Sequence, residues 1–334
     1  MSLHAPRVDY HLSTMNAHAK WPYMAIVTAL RSSRAPGTDA PRARLHYSAS
    51  APSLDVFQSI PPRDRAEPFV KWSGGKKRLL AAFDPLFPAH FESYHEPFLG
   101  GGAVFLFLRS VGRVRRGVLS DSNGELVHLW RTVRDDVDRL IVALERLPYD
   151  RDVYYSVREQ DPAELEPVAR AVRTLYLNRT CFNGLYRINQ SGRFNVPFGR
   201  YDNPVVCNGL NLRNVSRLLQ GIEIQRWSFD VVADLARPGD FVYLDPPHHP
   251  VIVASEGEGT NDEGFDARDH ARLRDVYRQL DQRGALLMLS IPPLPGLREL
   301  YRGFAVSEVA STRATGAGAN RRTRGTDLVI RNFS

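Results

Sequence analysis

Apolar residues recur at alternating steps of four and three at Leu126, Trp130, Val133, Val137, Leu140, Leu144 and Leu147, which predicts one long amphipathic helix facing a core. A second helix is expected over 266–282, where Asp266 can cap the first turn and Leu273, Val276, Tyr277 and Leu280 share a face. Short apolar runs at 117–120, 241–244 and 285–290, bounded by Gly, Asp and Pro, read as buried strands. Residues 103–108 read as a helix that opens directly after a run of glycines. Strands alternating with helices from residue 67 onward predict an α/β sheet.

The pattern lapses in two places. Residues 1–66, rich in Ser, Pro, Ala and Arg between 31 and 62, read as a flexible extension. Residues 150–226 enclose a polar, turn-rich stretch, 178–201, in which Gln190-Ser191-Gly192 looks like the turn of a hairpin between 186–188 and 194–196. The expected organisation is therefore an extension (1–66), a first α/β part (67–149), an inserted recognition domain (150–226) and a second α/β part (227–334).

Composition narrows the class. The 334 residues are 43% hydrophobic, enough for a sizeable core, with no apolar run long enough to span a bilayer. Two cysteines, Cys181 and Cys207, cannot build a disulfide framework or a four-cysteine zinc site, so a soluble cytoplasmic protein without metal is expected. The formal charge of +7 suits a polyanionic partner, but nearly all the cations are arginine, a skew that base composition also produces. The lysines say more. Three of them, Lys71, Lys76 and Lys77, fall within seven residues, which suggests sites needing a compact ammonium.

The candidate chemistry begins at Glu96-Pro97-Phe98-Leu99-Gly100-Gly101-Gly102, a strand end that opens a helix. Glycines there let a ligand approach the backbone, and the helix start offers free N–H groups. Asp121, about twenty residues beyond Gly100 at the end of the next strand, can accept the hydroxyls of a ribose. Together these suggest a nucleoside-containing cofactor, either a dinucleotide or S-adenosylmethionine. Asp245-Pro246-Pro247-His248 favours the second. The carboxylate stands at the end of a buried strand, and consecutive prolines fix the backbone and remove two donors, leaving carbonyls as acceptors. An aromatic amine gripped by such acceptors becomes a better nucleophile toward a methyl group held nearby.

In these stretches the chain resembles the adenine-specific DNA methyltransferases of the Dam and DpnM type. The resemblance runs through Pro68-Phe-Val-Lys-Trp-Ser-Gly-Gly-Lys-Lys-Arg-Leu-Leu80, Tyr94-His-Glu-Pro-Phe-Leu-Gly-Gly-Gly-Ala-Val-Phe105 and Ser120-Asp-Ser-Asn123. It continues in Leu175-Tyr-Leu-Asn-Arg-Thr-Cys-Phe-Asn-Gly-Leu-Tyr-Arg187, Gly192-Arg-Phe-Asn-Val-Pro-Phe-Gly-Arg-Tyr201 and Tyr243-Leu-Asp-Pro-Pro247. It implies a Rossmann-like S-adenosylmethionine-dependent methyltransferase fold with an inserted, mainly helical target-recognition domain carrying a β-hairpin. It implies that Trp72, Lys76, Asp121 and Asp245 meet S-adenosylmethionine, alongside Glu96, Phe98, Gly100 and Gly102 of the glycine motif. Catalysis falls to Asp245, Pro246, Pro247 and His248. Lys71 is expected to touch double-stranded DNA near the target, and Asn183, Leu185, Arg187 and Pro197 to approach its bases, with GATC as the expected site. A nucleoid-associated monomer follows, with a cognate restriction enzyme left open.

The departures from the family pattern cluster. Relatives have tyrosine where His248 stands, aromatic residues where this chain has Gly257-Glu258-Gly259-Thr260, and Ser-Asn where it has Ser290-Ile291. Two alternatives stay open on the sequence: a catalytically weakened DNA-binding relative, and a methyltransferase acting on the N4 amine of cytosine or on RNA adenine.

Overall fold

Five short segments form the parallel part of a seven-stranded sheet: β1 (Tyr94–Glu96), β2 (Gly117–Asp121), β3 (Glu223–Arg226), β4 (Phe241–Leu244) and β5 (Leu286–Ile291). The computed structural model describes residues 53–247, 265–293, 296–314 and 322–333. β6 (Ala305–Ala314) and β7 (Arg322–Arg331) pair antiparallel with each other, and β7 runs antiparallel to β5. The order is β3-β2-β1-β4-β5-β7-β6. β1 and β4 are buried along their whole length, as expected of central parallel strands covered on both faces. Pro97 follows β1 directly and Pro246 stands two residues beyond β4, and neither can donate to a ladder. From β1 the chain builds outward through β2 and β3, then returns to lay β4 on the other side of β1. The crevice at the carboxyl ends of β1 and β4 is thus the topological switch point, where open α/β sheets bind ligands.

The glycine run opens α2 (Ala103–Ser110), after α1 (Ser53–Ser59) earlier in the chain. The long helix expected from the 126–147 periodicity is two, α3 (Gly124–Asp135) and α4 (Val137–Glu145). Asp136 leaves helical geometry at φ −135°, ψ 35°, its N–H closing α3 on Thr132 while its carbonyl accepts from Leu140 to start α4. Leu126, Trp130, Val133, Leu140, Leu144 and Leu147 are all buried. A bend that keeps both apolar faces inward leaves the periodicity unbroken, so the pattern could not register it.

The middle segment begins with α5 (Arg151–Glu159) and α6 (Pro167–Thr180). Asp150 caps α5, and Pro167 occupies the first turn of α6. Beyond the turn-rich stretch comes α7 (Gly209–Leu219), which packs on α2, α3 and α4, and then β3. The end of the segment read as an insertion therefore belongs to the sheet and its covering layer. Within 178–201 the arms meet at isolated bridges, Ile188 with Phe194 and Cys181 with Phe198, without a continuous ladder. Asn189 explains the tight tip: its Oδ1 accepts from the N–H groups of Ser191 (3.1 Å) and Arg193 (2.9 Å), so a side chain supplies what strand pairing otherwise would.

α8 (Ala267–Gln282) begins at Asp266, as expected, in a cap that Asp269 makes reciprocal, and buries Leu273, Val276, Tyr277 and Leu280 against β5. The expected flexible extension is partly corrected. Residues 1–52 lie outside the described residues, but 53–66 are ordered on the sheet layer. Phe57 packs on Phe107 with ring centroids 5.3 Å apart, the Leu54 N–H donates to Asp84 (2.8 Å), and Ala66 is buried. One apolar turn in a Pro- and Ser-rich stretch has too little period to be recognised before its docking surface is known.

Candidate active site

The crevice is built from three turns that converge on the ends of β1, β2 and β4. After Glu96 the chain passes Phe98 and enters the glycine run, where Gly100 (φ 47°) and Gly102 (φ 62°) adopt left-handed conformations. Both are also hemmed in. A Cβ at Gly100 would lie 2.8 Å from Trp72 Cδ1, and one at Gly102 2.7 Å from Trp130 Cη2. The Trp130 indole N–H donates to the Gly100 carbonyl (3.1 Å), and the Gly100 N–H donates to Asp121 Oδ2 (3.0 Å). Asp121 Oδ1 accepts from the Asn123 N–H (2.9 Å), and Asn123 caps α3 through the Leu126 N–H (3.0 Å). Each Asp121 oxygen has two acceptor positions. The carboxylate is thus oriented by backbone donors while retaining capacity for a ligand.

On the facing side, Lys76 and Asp245 form an ion pair with side chains 3% and 18% exposed. The Lys76 ammonium donates to Asp245 Oδ1 (2.6 Å) and to the Gly74 carbonyl (2.9 Å). Burial pushes the Asp245 carboxyl above its usual range, the Lys76 ammonium pulls it back, and Asp327 on β7 adds to the push. Glu96 lies between the two walls, 2% exposed, accepting from the Tyr94 hydroxyl (2.8 Å). Its carboxyl is pushed up to about 8, chiefly by burial, with Asp245 and Asp121 contributing. Burial also raises the Asp121 carboxyl. Three carboxyls that all resist ionisation in one crevice make a site where a bound cation would offset the cost of ionising them.

Of the residues singled out from sequence, Trp72, Lys76, Glu96, Gly100, Gly102, Asp121 and Asp245 converge here. Phe98 stands at the edge, stacked on Phe229 (5.3 Å, 25°) and edge-on to Phe265 (5.7 Å). Pro246 is buried and Pro247 exposed. His248 and residues 257–260 lie outside the described residues. Ser290 and Ile291, read as part of an altered base pocket, are fully buried in β5.

The residues expected at DNA form a second group. Asn183 (φ 54°), Leu185, Arg187 and Pro197 are all exposed, and the Pro197 carbonyl accepts the Phe182 N–H (2.9 Å), tying one arm to the other. Arg187 is steadied by Asn195 Oδ1 (2.7 Å). Lys71 joins this group to the crevice. Its backbone is clasped by the Asn178 side chain (2.8 and 2.7 Å), and its ammonium lies 3.7 Å from the Tyr201 ring centroid. Burial, then Arg179, lowers the Lys71 pKa.

Sequence reasoning missed Asp327, Tyr94, Phe229 and Tyr186. A buried aspartate entering the apolar run Leu328-Val329-Ile330 was a readable signal for Asp327. The others sit at positions that only packing distinguishes. Among the described residues there is no group of three or more His, Cys, Asp or Glu able to hold a metal ion, and no helix long and apolar enough to cross a membrane.

This sheet order, with a glycine-lined acidic crevice at its switch point, is the fold of S-adenosylmethionine-dependent methyltransferases. The sequence pattern of the D12 class N6 adenine-specific DNA methyltransferases matches residues 72–315, and the chain belongs to that family. It is 36% identical over 274 residues to the Type II methyltransferase M1.LlaDCHI of Lactococcus lactis subsp. cremoris, a match covering 80% of this chain and 95% of that protein. The Type II methyltransferase M.MjaIII of Methanocaldococcus jannaschii is 36% identical over 286 residues, covering 80% and 99%. The DNA adenine methylase of Escherichia coli (strain K12) is 30% identical over 265 residues, covering 78% and 93%. Membership implies a methyl donor and a DNA substrate.

Proposed function

We propose that this protein transfers a methyl group from S-adenosylmethionine to the N6 amine of an adenine extruded from duplex DNA. The observation that carries the reading is the meeting of the Asp245 corner with the glycine-lined wall at adjacent strands β1 and β4. The donor set suits S-adenosylmethionine: Asp121 offers acceptors for ribose hydroxyls, Phe98 and Trp72 offer apolar walls, and the buried carboxyls suit a cation. When bound, that cofactor supplies an electrophilic methyl group on a sulfonium.

The residues act before and around that transfer. Asp245 and the Pro246 carbonyl accept the two N–H bonds of the amine, drawing its lone pair out of the ring. Lys76 opposes the effect of burial on Asp245 and so favours a charged acceptor for the incoming base. Extrusion of the base gives access to an atom that a stacked duplex hides. On the duplex, Asn183, Leu185, Arg187 and Pro197 read base edges and Lys71 stands next to the target. Arginine can fork onto guanine, and an apolar tip can meet a thymine methyl, which accords with GATC as the site.

Incubation with labelled S-adenosylmethionine and unmethylated DNA, followed by mass analysis of the nucleosides and sequencing of the methylated sites, tests the reading. N6-methyladenine is expected. Asp245→Ala should lower the rate by about 10²–10³, the scale for losing one positioned electrostatic partner. Wild-type rates in that variant, or methyl groups found only on cytosine, would refute the mechanism. Tight DNA binding with no incorporation would identify a catalytically silent relative instead.

A further inference from the structure

Besides Lys71, one side chain that neither role accounts for joins the exposed recognition arm to the cofactor wall. Along Leu185-Tyr186-Arg187, Leu185 and Arg187 face solvent, while Tyr186, between them, turns inward. Its ring lies 5.5 Å from the Trp72 ring, tilted by 35°, and 5.7 Å from Phe194 on the opposite arm, edge-on. Trp72 in turn packs against Gly100, so tightly that a Cβ there would be 2.8 Å away. The other end of Tyr186 reaches the second wall of the crevice. Burial raises its phenol pKa, Glu125 adds to the rise, and the nearby Asn123 side chain opposes it. Asn123 is the residue whose N–H orients Asp121. The ring therefore packs on one turn of the cofactor crevice and shares a groove with Glu125, at the start of the helix after the other, from within the segment that presents Leu185 and Arg187.

Around this tether the packing is loose. A groove of about 390 Å³ separates Ile188, Gly192 and Arg193 of the arm from Glu125, Thr174 and Leu177 of the helices behind it. Close-packed interfaces transmit displacement, whereas an open groove does not. A shift of Trp72 thus reaches the recognition arm through Tyr186, in addition to the path through Lys71, whose backbone is clasped by Asn178 and whose side chain packs on Gly184.

We propose that Tyr186 is a positioning residue that couples cofactor occupancy to DNA recognition, so that each ligand tightens the binding of the other. The inference rests on the reading of Trp72, Gly100 and Asp121 as the cofactor site. Coupling of this kind is reciprocal and commonly amounts to about 5- to 150-fold in affinity. Loss of the ring should remove the coupling while leaving each separate affinity nearly intact, because Tyr186 is needed by neither ligand alone.

The test uses the full chain, S-adenosylhomocysteine and a fluorescent unmethylated duplex carrying GATC. Dissociation constants for each ligand are measured with and without the other, in the wild type, Tyr186→Leu and Tyr186→Phe, with thermal melts to verify folding. In the wild type, each ligand is expected to tighten the other by about tenfold. In Tyr186→Leu the ratio should fall to within about twofold of unity, with the single-ligand constants within about threefold of wild type. Tyr186→Phe, which keeps the ring, should restore most of it. A wild-type ratio in Tyr186→Leu, or a loss confined to one ligand's own affinity, would overturn the coupling role. S-adenosylhomocysteine binding without any wild-type coupling defeats this inference alone, whereas no S-adenosylhomocysteine binding at all defeats the cofactor reading as well.

Discussion

Glu96→Gln probes whether the crevice is held together against its own charge. The substitution keeps the shape of the side chain and an acceptor for the Tyr94 hydroxyl, and removes only the titration. In the folded chain the carboxyl is pushed from 4.5 to about 8. At about 1.4 kcal/mol for each pH unit, that displacement has a ceiling of about 5 kcal/mol. Below pH 4.5 the group is protonated in both states and contributes nothing. As the pH rises from 4.5 to about 8 the unfolded chain ionises first, so the folded state loses stability relative to it, and above about 8 the whole penalty is present. The glutamine variant escapes this. It should match the wild type near pH 4.5 and exceed it at pH 8 by several kcal/mol, of the order of 2–5. Urea unfolding at pH 5, 6.5 and 8, followed by circular dichroism, measures the difference. A gap that stays constant with pH, or one that widens toward acid, would refute the reasoning. The gain should have a functional counterpart. With one carboxyl gone from the crevice, S-adenosylmethionine should lose more affinity above about pH 8, where the wild-type Glu96 is ionised, than S-adenosylhomocysteine, which lacks the sulfonium charge.

Two further substitutions bear on the walls of the site. Gly102→Ala places a methyl group 2.7 Å from the buried Trp130 at a left-handed φ, so it should lower stability by about 2–4 kcal/mol, and an unchanged melting temperature would contradict the close packing. Lys76→Met removes the ammonium that pulls the Asp245 pKa down, so the acidic limb of the methyl-transfer rate should move to higher pH; a pH profile superposable on the wild type would show that Lys76 does not set the charge of Asp245.

Much of the site was legible because its chemistry is local. The Asp-Pro-Pro corner, the glycine run and the carboxylate at the end of the following strand are each a few residues long. Each constrains its own backbone through missing donors, tolerated positive φ or a strand end. The helix over 266–282 was readable for the same reason, since cap and apolar face are both written within one element. Chain segments that need a partner were not. The turn at Ser53–Ser59 has meaning only once Phe107 stands opposite Phe57, and the break at Asp136 only once two helix faces are seen to meet one core.

What the residues determined alone was the alternation of strands and helices around the sheet and the choice of candidate groups, because dihedral preference, period and side-chain chemistry travel with the chain. What the tertiary structure decided was how those groups feel one another. The order of the strands sets Asp245 beside Lys76, 169 positions away in sequence, and brings Asp327 of β7 into their field. The same burial turns Glu96 from an ordinary carboxylate into an acid that holds its proton to about pH 8. Electrostatic strength depends on distance and on exclusion of water, and neither exists until the sheet has closed around the crevice.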